Sequence, residues 1–195
     1  MIEKGVIPAD DDIVLVKDYI EDIAVELKYS TCDNFTGKVI YDYKNAYLRY
    51  GTIKRLQKVQ NALKEKGYRL KIWDAFRTIE AQFVLWEVYP VDEFVADPNK
   101  GGSSHNCGNT VDVTVIDENG NELEMPTAFD DFQAMIEYQY DLEENKVKSE
   151  NARMLKAIML ECGFYHSPYE WWHFRDVDKY PIERNFVHSE SNSEK

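Results

Sequence analysis

His105 follows the loop Lys100-Gly101-Gly102-Ser103-Ser104, Asp112 stands seven residues after it, and His173 closes the stretch Tyr169-Glu170-Trp171-Trp172-His173. Imidazole nitrogen and carboxylate oxygen are ready zinc ligands, and a catalytic zinc commonly keeps three protein ligands and leaves the fourth position to water. Two histidines and one aspartate would fill such a site. They carry a single negative charge, so the metal would keep its Lewis acidity. Glu170 adds a carboxylate that could serve as a base. Each residue alone has a plainer reading. His105 could be a surface loop histidine, Asp112 a solvated or paired strand carboxylate, and Glu170 to His173 a buried aromatic anchor.

The elements around these residues must aim them. Residues 109–116, NTVDVTVI, read as a strand with Val111, Val113 and Val115 on one face and Asp112 on the other. Asp117-Glu118-Asn119-Gly120 is a turn signal, so 121–125 is expected to return as a hairpin strand. Residues 164–174 read as a final strand bent at Ser167-Pro168. Glu170 and His173 would face opposite ways on a straight strand, so the chain must bend or bulge for both to reach one metal. Upstream, 13–17 and 23–29 read as early strands. Leu48, Ile53, Leu56, Val59 and Leu63 recur at helical spacing over 45–66, and Gly67 stops the run. Residues 68–74 alternate as a strand, and Thr78 can cap a helix to about 89, ended by Pro90. Helices are expected near 129–140 and 149–162, with Gly163 ending the second. Helices mixed with antiparallel strands predict an α+β domain.

The chain of 195 residues fits one domain, with residues 1–187 as that domain and 188–195 as a polar tail. A hydrophobic fraction of 44% and an aromatic fraction of 13% allow a packed core around a shaped pocket. The net charge of -13 argues against nucleic acid and against an anionic membrane surface, since both need clustered Lys and Arg. No apolar run approaches the ~20 residues of a membrane span. Cys32, Cys107 and Cys162 are odd in number and widely spaced, which points away from a disulfide framework and towards a reducing, cytoplasmic setting. No basic region followed by an apolar core marks a signal peptide at the N-terminus.

The stretch Ser103-Ser104-His105-Asn106-Cys107-Gly108-Asn109-Thr110-Val111-Asp112 resembles the S-x-H-x-x-G-x-A-x-D signature of the zinc D,D-peptidases, and Glu170-Trp171-Trp172-His173 resembles their E-x-W-H. Residues 27–38, LKYSTCDNFTGK, and Trp73-Asp74-Ala75-Phe76-Arg77 narrow the resemblance to the VanX-type D-alanyl-D-alanine dipeptidases. The four matches fall in family order from about 27 to 174. The resemblance implies a single hedgehog-like α+β domain with helices packed on an antiparallel sheet. It implies one Zn²⁺ per chain held by His105, Asp112 and His173, with Glu170 passing the water's proton to the leaving amine and Arg77 on the developing oxyanion. It also implies Asp130 on the substrate's free ammonium, with Ser103 and Tyr29 lining the pocket. From the residues alone, Asp130 reads equally as a carboxylate at a helix N-terminus, Tyr29 as core, and Arg77 as a surface ion pair.

The sequence departs from the family pattern at Thr110, where Ala is common, and at Cys107, where Arg is frequent. The stretch between Arg77 and His105 is shorter than in the enzymes it resembles, and that stretch would cover the pocket. Cys107 lies two residues from an expected ligand, where it could fill a tight loop or, as a thiolate, compete for metal or be oxidised. The expected activity is hydrolysis of the D-Ala-D-Ala dipeptide, in resistance to cell-wall antibiotics or in nutrient recycling. The alternatives are a D,D-carboxypeptidase on longer peptidoglycan precursors and a non-catalytic zinc-stabilised binding module.

Overall fold

The computed structural model describes residues 7–131 and 145–188. Among the described residues, seven strands and three α-helices make an α+β domain, as the sequence predicts. Strands β1 (Ile13–Leu15) and β3 (Tyr47–Arg49) form a two-stranded antiparallel ribbon. The main sheet runs β2 (Ala24–Val25), β4 (Arg69–Asp74), β5 (Thr110–Ile116), β7 (His173–Asp176), β6 (Phe164–His166). Its pairings are antiparallel except at its edge, where β2 lies parallel to β4.

Helix α1 (Tyr50–Lys64) buries Ile53, Leu56, Val59 and Leu63, the spacing that puts side chains on one stripe of a helix. Helix α2 (Ile79–Val88) follows β4 and is capped by the Thr78 hydroxyl, while α1 packs against β4 and against α3 (Lys146–Glu161), which buries Ala152, Leu155, Ile158 and Met159. Full burial of a Leu contributes about 1.5–3 kcal/mol, so Leu56 and Leu155 anchor this layer. Val111, Val113 and Val115 are buried on the central strand β5. Alternation sends Asp112 to the other face, which frees that face for chemistry.

Four expectations need correction. Of the early strands expected over 13–17 and 23–29, only Ile13–Leu15 and Ala24–Val25 are strand, and Val16–Asp18 and Lys28–Ser30 are short 3-10 turns. Residues 47–49 are strand rather than the start of a helix, and α1 begins only at Tyr50. The 117–120 turn forms, with Gly120 N–H on Asp117 O at 3.1 Å, but 121–125 makes a single bridge, Ile116 to Glu122, and no strand. The expected last strand is two strands, β6 and β7, separated by the segment that carries Glu170. The helix expected over 129–140 falls almost wholly outside the described residues, as does the tail beyond 188.

Candidate active site

A bulge between Ile72 and Asp74 brings Asp74 on β4 level with Asp112 on β5. Bulges of this kind re-aim side chains next to functional sites. Beyond the bulge the chain runs through Ala75 to Arg77, whose N–H bonds to the carbonyl of His105 at 3.2 Å. His105 sits in a short turn, Ser104–Cys107, that Ser103 caps through its hydroxyl and Gly108 ends in the left-handed region at φ 75°. A Cβ at Gly108 would approach Ile13 Cδ1 to 3.1 Å, so glycine serves both the backbone and the packing there. Asn106 ties the turn to the Arg77 carbonyl at 2.8 Å, and Arg49 of β3 holds its far end through the Cys107 and Gly108 carbonyls.

The structure brings His105, Asp112 and His173 together, with one ligand atom from each lying within 4.8 Å of the others. His105 Nε2 is 3.4 Å from Asp112 Oδ2 and 3.4 Å from His173 Nδ1, and His173 Nδ1 is 3.0 Å from Asp112 Oδ1. His105 Nδ1 lies 2.7 Å from the carbonyl of Ala75. A carbonyl only accepts, so Nδ1 carries the proton and the Nε2 lone pair faces the cluster. Two imidazoles and a carboxylate with converging lone pairs suit a zinc ion.

Burial works against a charged His105, but Asp112 and Asp74 outweigh it and raise its pKa. Burial would likewise raise Asp112, and the two imidazoles pull it well below the usual carboxylate range. The two shifts express one mutual attraction between the Asp112 carboxylate and the imidazoles beside it.

Glu170 reaches the same point through a turn in which His173 N–H bonds to Glu170 O at 3.2 Å. Its Oε2 lies 3.6 Å from His173 Nδ1. Burial first, and then the neighbouring carboxylates, push the Glu170 carboxyl up to about 8. The two tryptophans between Glu170 and His173 fix the turn. Trp171 donates to Thr127 Oγ1 at 3.0 Å and packs edge-on against Trp73, while Trp172 packs against Phe129.

Arg77 is buried and aimed into a cavity of about 30 Å³ shared with His105, Asp112, Glu170 and His173. Asp74 Oδ2 accepts from its Nη2 at 2.6 Å, Gln82 Oε1 from Nη1 at 2.8 Å, and Tyr41 Oη from Nε at 3.2 Å. The guanidinium also lies over the Tyr29 ring at 5.1 Å. Tyr29 and Ser103 line this cavity too. So does Asp130, which takes a left-handed backbone conformation at φ 59° and accepts the Tyr29 hydroxyl at 3.1 Å. Burial, reinforced by the Asp112 charge, pushes the Asp130 carboxyl up to about 8. All eight residues singled out from the sequence thus border one cavity.

Sequence reasoning missed the residues that hold and cover this group. Asp74 stood inside the quoted Trp73–Arg77 segment, but its bond to Arg77 was not anticipated. Tyr41 and Gln82 carried no local signal. Phe94 and Val95, which close one side of the cavity, lie in the stretch that was expected only in outline to cover it. Cys107 is not among the converging ligand atoms, and burial raises its thiol pKa, which disfavours the thiolate.

A family model described as D-ala-D-ala dipeptidase, of the M15 peptidases, matches residues 10–192. The chain is 36% identical over 163 residues to a D-alanyl-D-alanine dipeptidase of Escherichia coli, covering 83% of each chain. It is 27% identical to one from Enterococcus faecalis, covering 88% of this chain and 95% of that one. A third, from Streptomyces coelicolor, is 30% identical over 84% of this chain and 90% of its own.

Proposed function

The chain belongs to the D-ala-D-ala dipeptidase family of M15 peptidases, and from that premise we propose that it hydrolyses the free D-alanyl-D-alanine dipeptide as a zinc metallopeptidase. The observation that carries this reading is the convergence of His105, Asp112 and His173 beside Glu170 in a cavity that also receives Arg77 and Asp130. His105, Asp112 and His173 would hold the metal. When bound, zinc acidifies a water and polarises a carbonyl.

The remaining steps belong to the chain's own side chains. Glu170, which the positive charge of a bound metal would hold ionised against its burial, takes the proton of the attacking water on its carboxylate and returns it to the nitrogen of the leaving D-alanine. Arg77, fixed by Asp74, Gln82 and Tyr41, places a cation where negative charge develops on the scissile carbonyl oxygen. Its anchors are in place before the reaction, so little reorganisation is needed. Asp130 accepts the dipeptide's ammonium, helped by the Tyr29 hydroxyl, and Ser103 lines the wall beside the scissile bond.

Free-dipeptide selectivity follows from that ammonium contact. An N-acylated substrate would bury Asp130 without a cation. The carboxypeptidase alternative therefore faces a chemical cost. Retention of Glu170 and Arg77 also weighs against a purely structural zinc, which needs neither. All three cysteines are free, which fits a reducing, cytoplasmic setting.

Steady-state assays of D-Ala-D-Ala, L-Ala-L-Ala and an N-acylated D,D-peptide, with and without chelator, test the proposal. Turnover confined to D-Ala-D-Ala and abolished by chelator is expected. Comparable turnover of the N-acylated peptide would sink the dipeptidase reading.

A further inference from the structure

The metal-ligand cluster stands between two cavities. The inner one ends on Tyr29 and Asp130, and the outer one, about 250 Å³, includes Arg175. Ser103, Glu170 and His173 line both, so the two meet at the position of the scissile bond. His173 and Arg175 are two residues apart on β7, so both side chains leave the same face of the sheet. Two strand residues span roughly 7 Å, about the full length of an extended dipeptide, so the long Arg175 side chain must lean back towards His173 to meet a carboxylate that ends roughly 3.5 Å from the scissile amide.

Arg175 is exposed and lies over the ring of Tyr165 at 5.7 Å. Among the described residues no carboxylate forms an ion pair with it, although Asp92 and Glu93 line the same cavity. Asp92 is occupied elsewhere, accepting from Lys100 Nζ at 3.4 Å and from the Asp97 N–H at 2.9 Å.

A dipeptide is a zwitterion with its two charges on opposite sides of one amide. An ammonium held at Asp130 directs the carboxylate of the leaving residue into the outer cavity. We infer that Arg175 is a specificity-determining residue that binds this C-terminal carboxylate, with the Tyr165 ring holding the guanidinium in place. Guanidinium and carboxylate match in planar, two-pronged geometry, and the cation–ring contact limits the freedom lost on binding. The inference rests on the dipeptidase reading and adds a direction to it: amino end inward, carboxyl end outward.

The test compares the zinc-loaded wild type with Arg175→Ala and Arg175→Lys on D-alanyl-D-alanine and on its C-terminal amide, D-alanyl-D-alaninamide. The wild type should prefer the acid. Arg175→Ala should reduce the acid-over-amide ratio of kcat/KM about tenfold, mainly through KM for the acid, the scale of one charged hydrogen-bonded contact near a surface. Arg175→Lys should restore part of the ratio. An acid-over-amide ratio that Arg175→Ala leaves unchanged overturns the assignment while the dipeptidase reading stands. A wild type that leaves D-alanyl-D-alanine intact overturns that reading first, and the assignment with it. Because Arg175 is exposed, folding of the variants is expected and is checked by their thermal transitions.

Discussion

Asp74 and Asp112 are cross-strand partners on β4 and β5, and both are buried. Two carboxylates this close would repel strongly in a dry interior unless each had its own positive partner. Arg77 serves Asp74 at 2.6 Å, while His105 and His173 face Asp112. The bulge therefore sets two parallel charge systems side by side, one around the Arg77 guanidinium and one around the His105–Asp112–His173 cluster. Their link is His105, which lies 3.5 Å from Asp74 and 3.4 Å from Asp112.

Asp74→Asn should be among the most damaging substitutions in the domain. It leaves the Arg77 cation buried without its carboxylate, and breaking such a pair costs about 3–5 kcal/mol. Urea unfolding of the wild type and the variant measures this. A loss below about 1 kcal/mol would mean that Arg77 does not depend on Asp74.

Gln82 should affect catalysis more than binding. It accepts from Arg77 and donates through Nε2 to the carbonyl of Ala96 at 2.7 Å, which ties the Arg77 guanidinium to the segment carrying Phe94 and Val95. Gln82→Met keeps the volume and removes both bonds. We expect kcat to fall about tenfold with KM changed much less, since a loosened Arg77 matters where charge develops. A rise in KM alone would point to the covering segment instead of the cation.

Glu170→Ala should keep one zinc per chain and lose hydrolysis by about 10²–10⁴-fold. Metal content by atomic spectroscopy and turnover by amine release separate the two properties. Turnover equal to the wild type would remove Glu170 from the role of base.

The convergence of His105 and His173 was legible because they sit in short stretches of unusual composition, a Gly-Gly-Ser-Ser loop before His105 and a Trp-Trp pair before His173. Each stretch also makes its own local geometry, through the Ser103 cap in one case and the Glu170–His173 turn in the other. Strand β3 was hidden because three residues are too few to show alternation, and Leu48 fits the helical period that follows. The 117–120 turn signal was read correctly, but pairing beyond Glu122 depends on tertiary contacts. Tyr41 and Gln82 touch Arg77 from 36 and 5 residues away in sequence, through contacts that leave no periodic trace.

His166 gives the domain an acid-sensitive margin. Burial, assisted by the positive charge of Lys156, lowers its pKa to about 4, and its Nε2 is buried without a hydrogen-bond partner among the described residues. In the unfolded chain the imidazole titrates near 6.5. Between those values the unfolded chain binds the extra proton, so the His166 contribution is fully present above about 6.5 and is lost as pH falls towards about 4. With its partial exposure discounted, the loss is on the order of 1–2 kcal/mol. His166→Phe should flatten the stability profile over that window relative to the wild type. Parallel profiles would exclude this origin.

Metal removal should be felt as lost stability as well as lost activity. A ligand that binds only the folded state stabilises it by an amount that grows with its concentration over Kd, about 2.7 kcal/mol at a hundredfold excess. The three donors bind metal only when Asp112 is ionised and both imidazoles present lone pairs. The raised pKa of His105 means that protons compete for its Nε2 at higher pH than for an ordinary histidine. The stabilisation by added zinc should therefore be largest above neutrality and shrink as pH falls through the His105 range. Asp112→Asn removes the central carboxylate and should abolish most of that zinc-dependent rise in melting temperature. Chelator titrations followed by thermal unfolding at two pH values measure it. A zinc-induced shift that is equal at both pH values, or that persists in Asp112→Asn, would place the bound metal elsewhere on the chain.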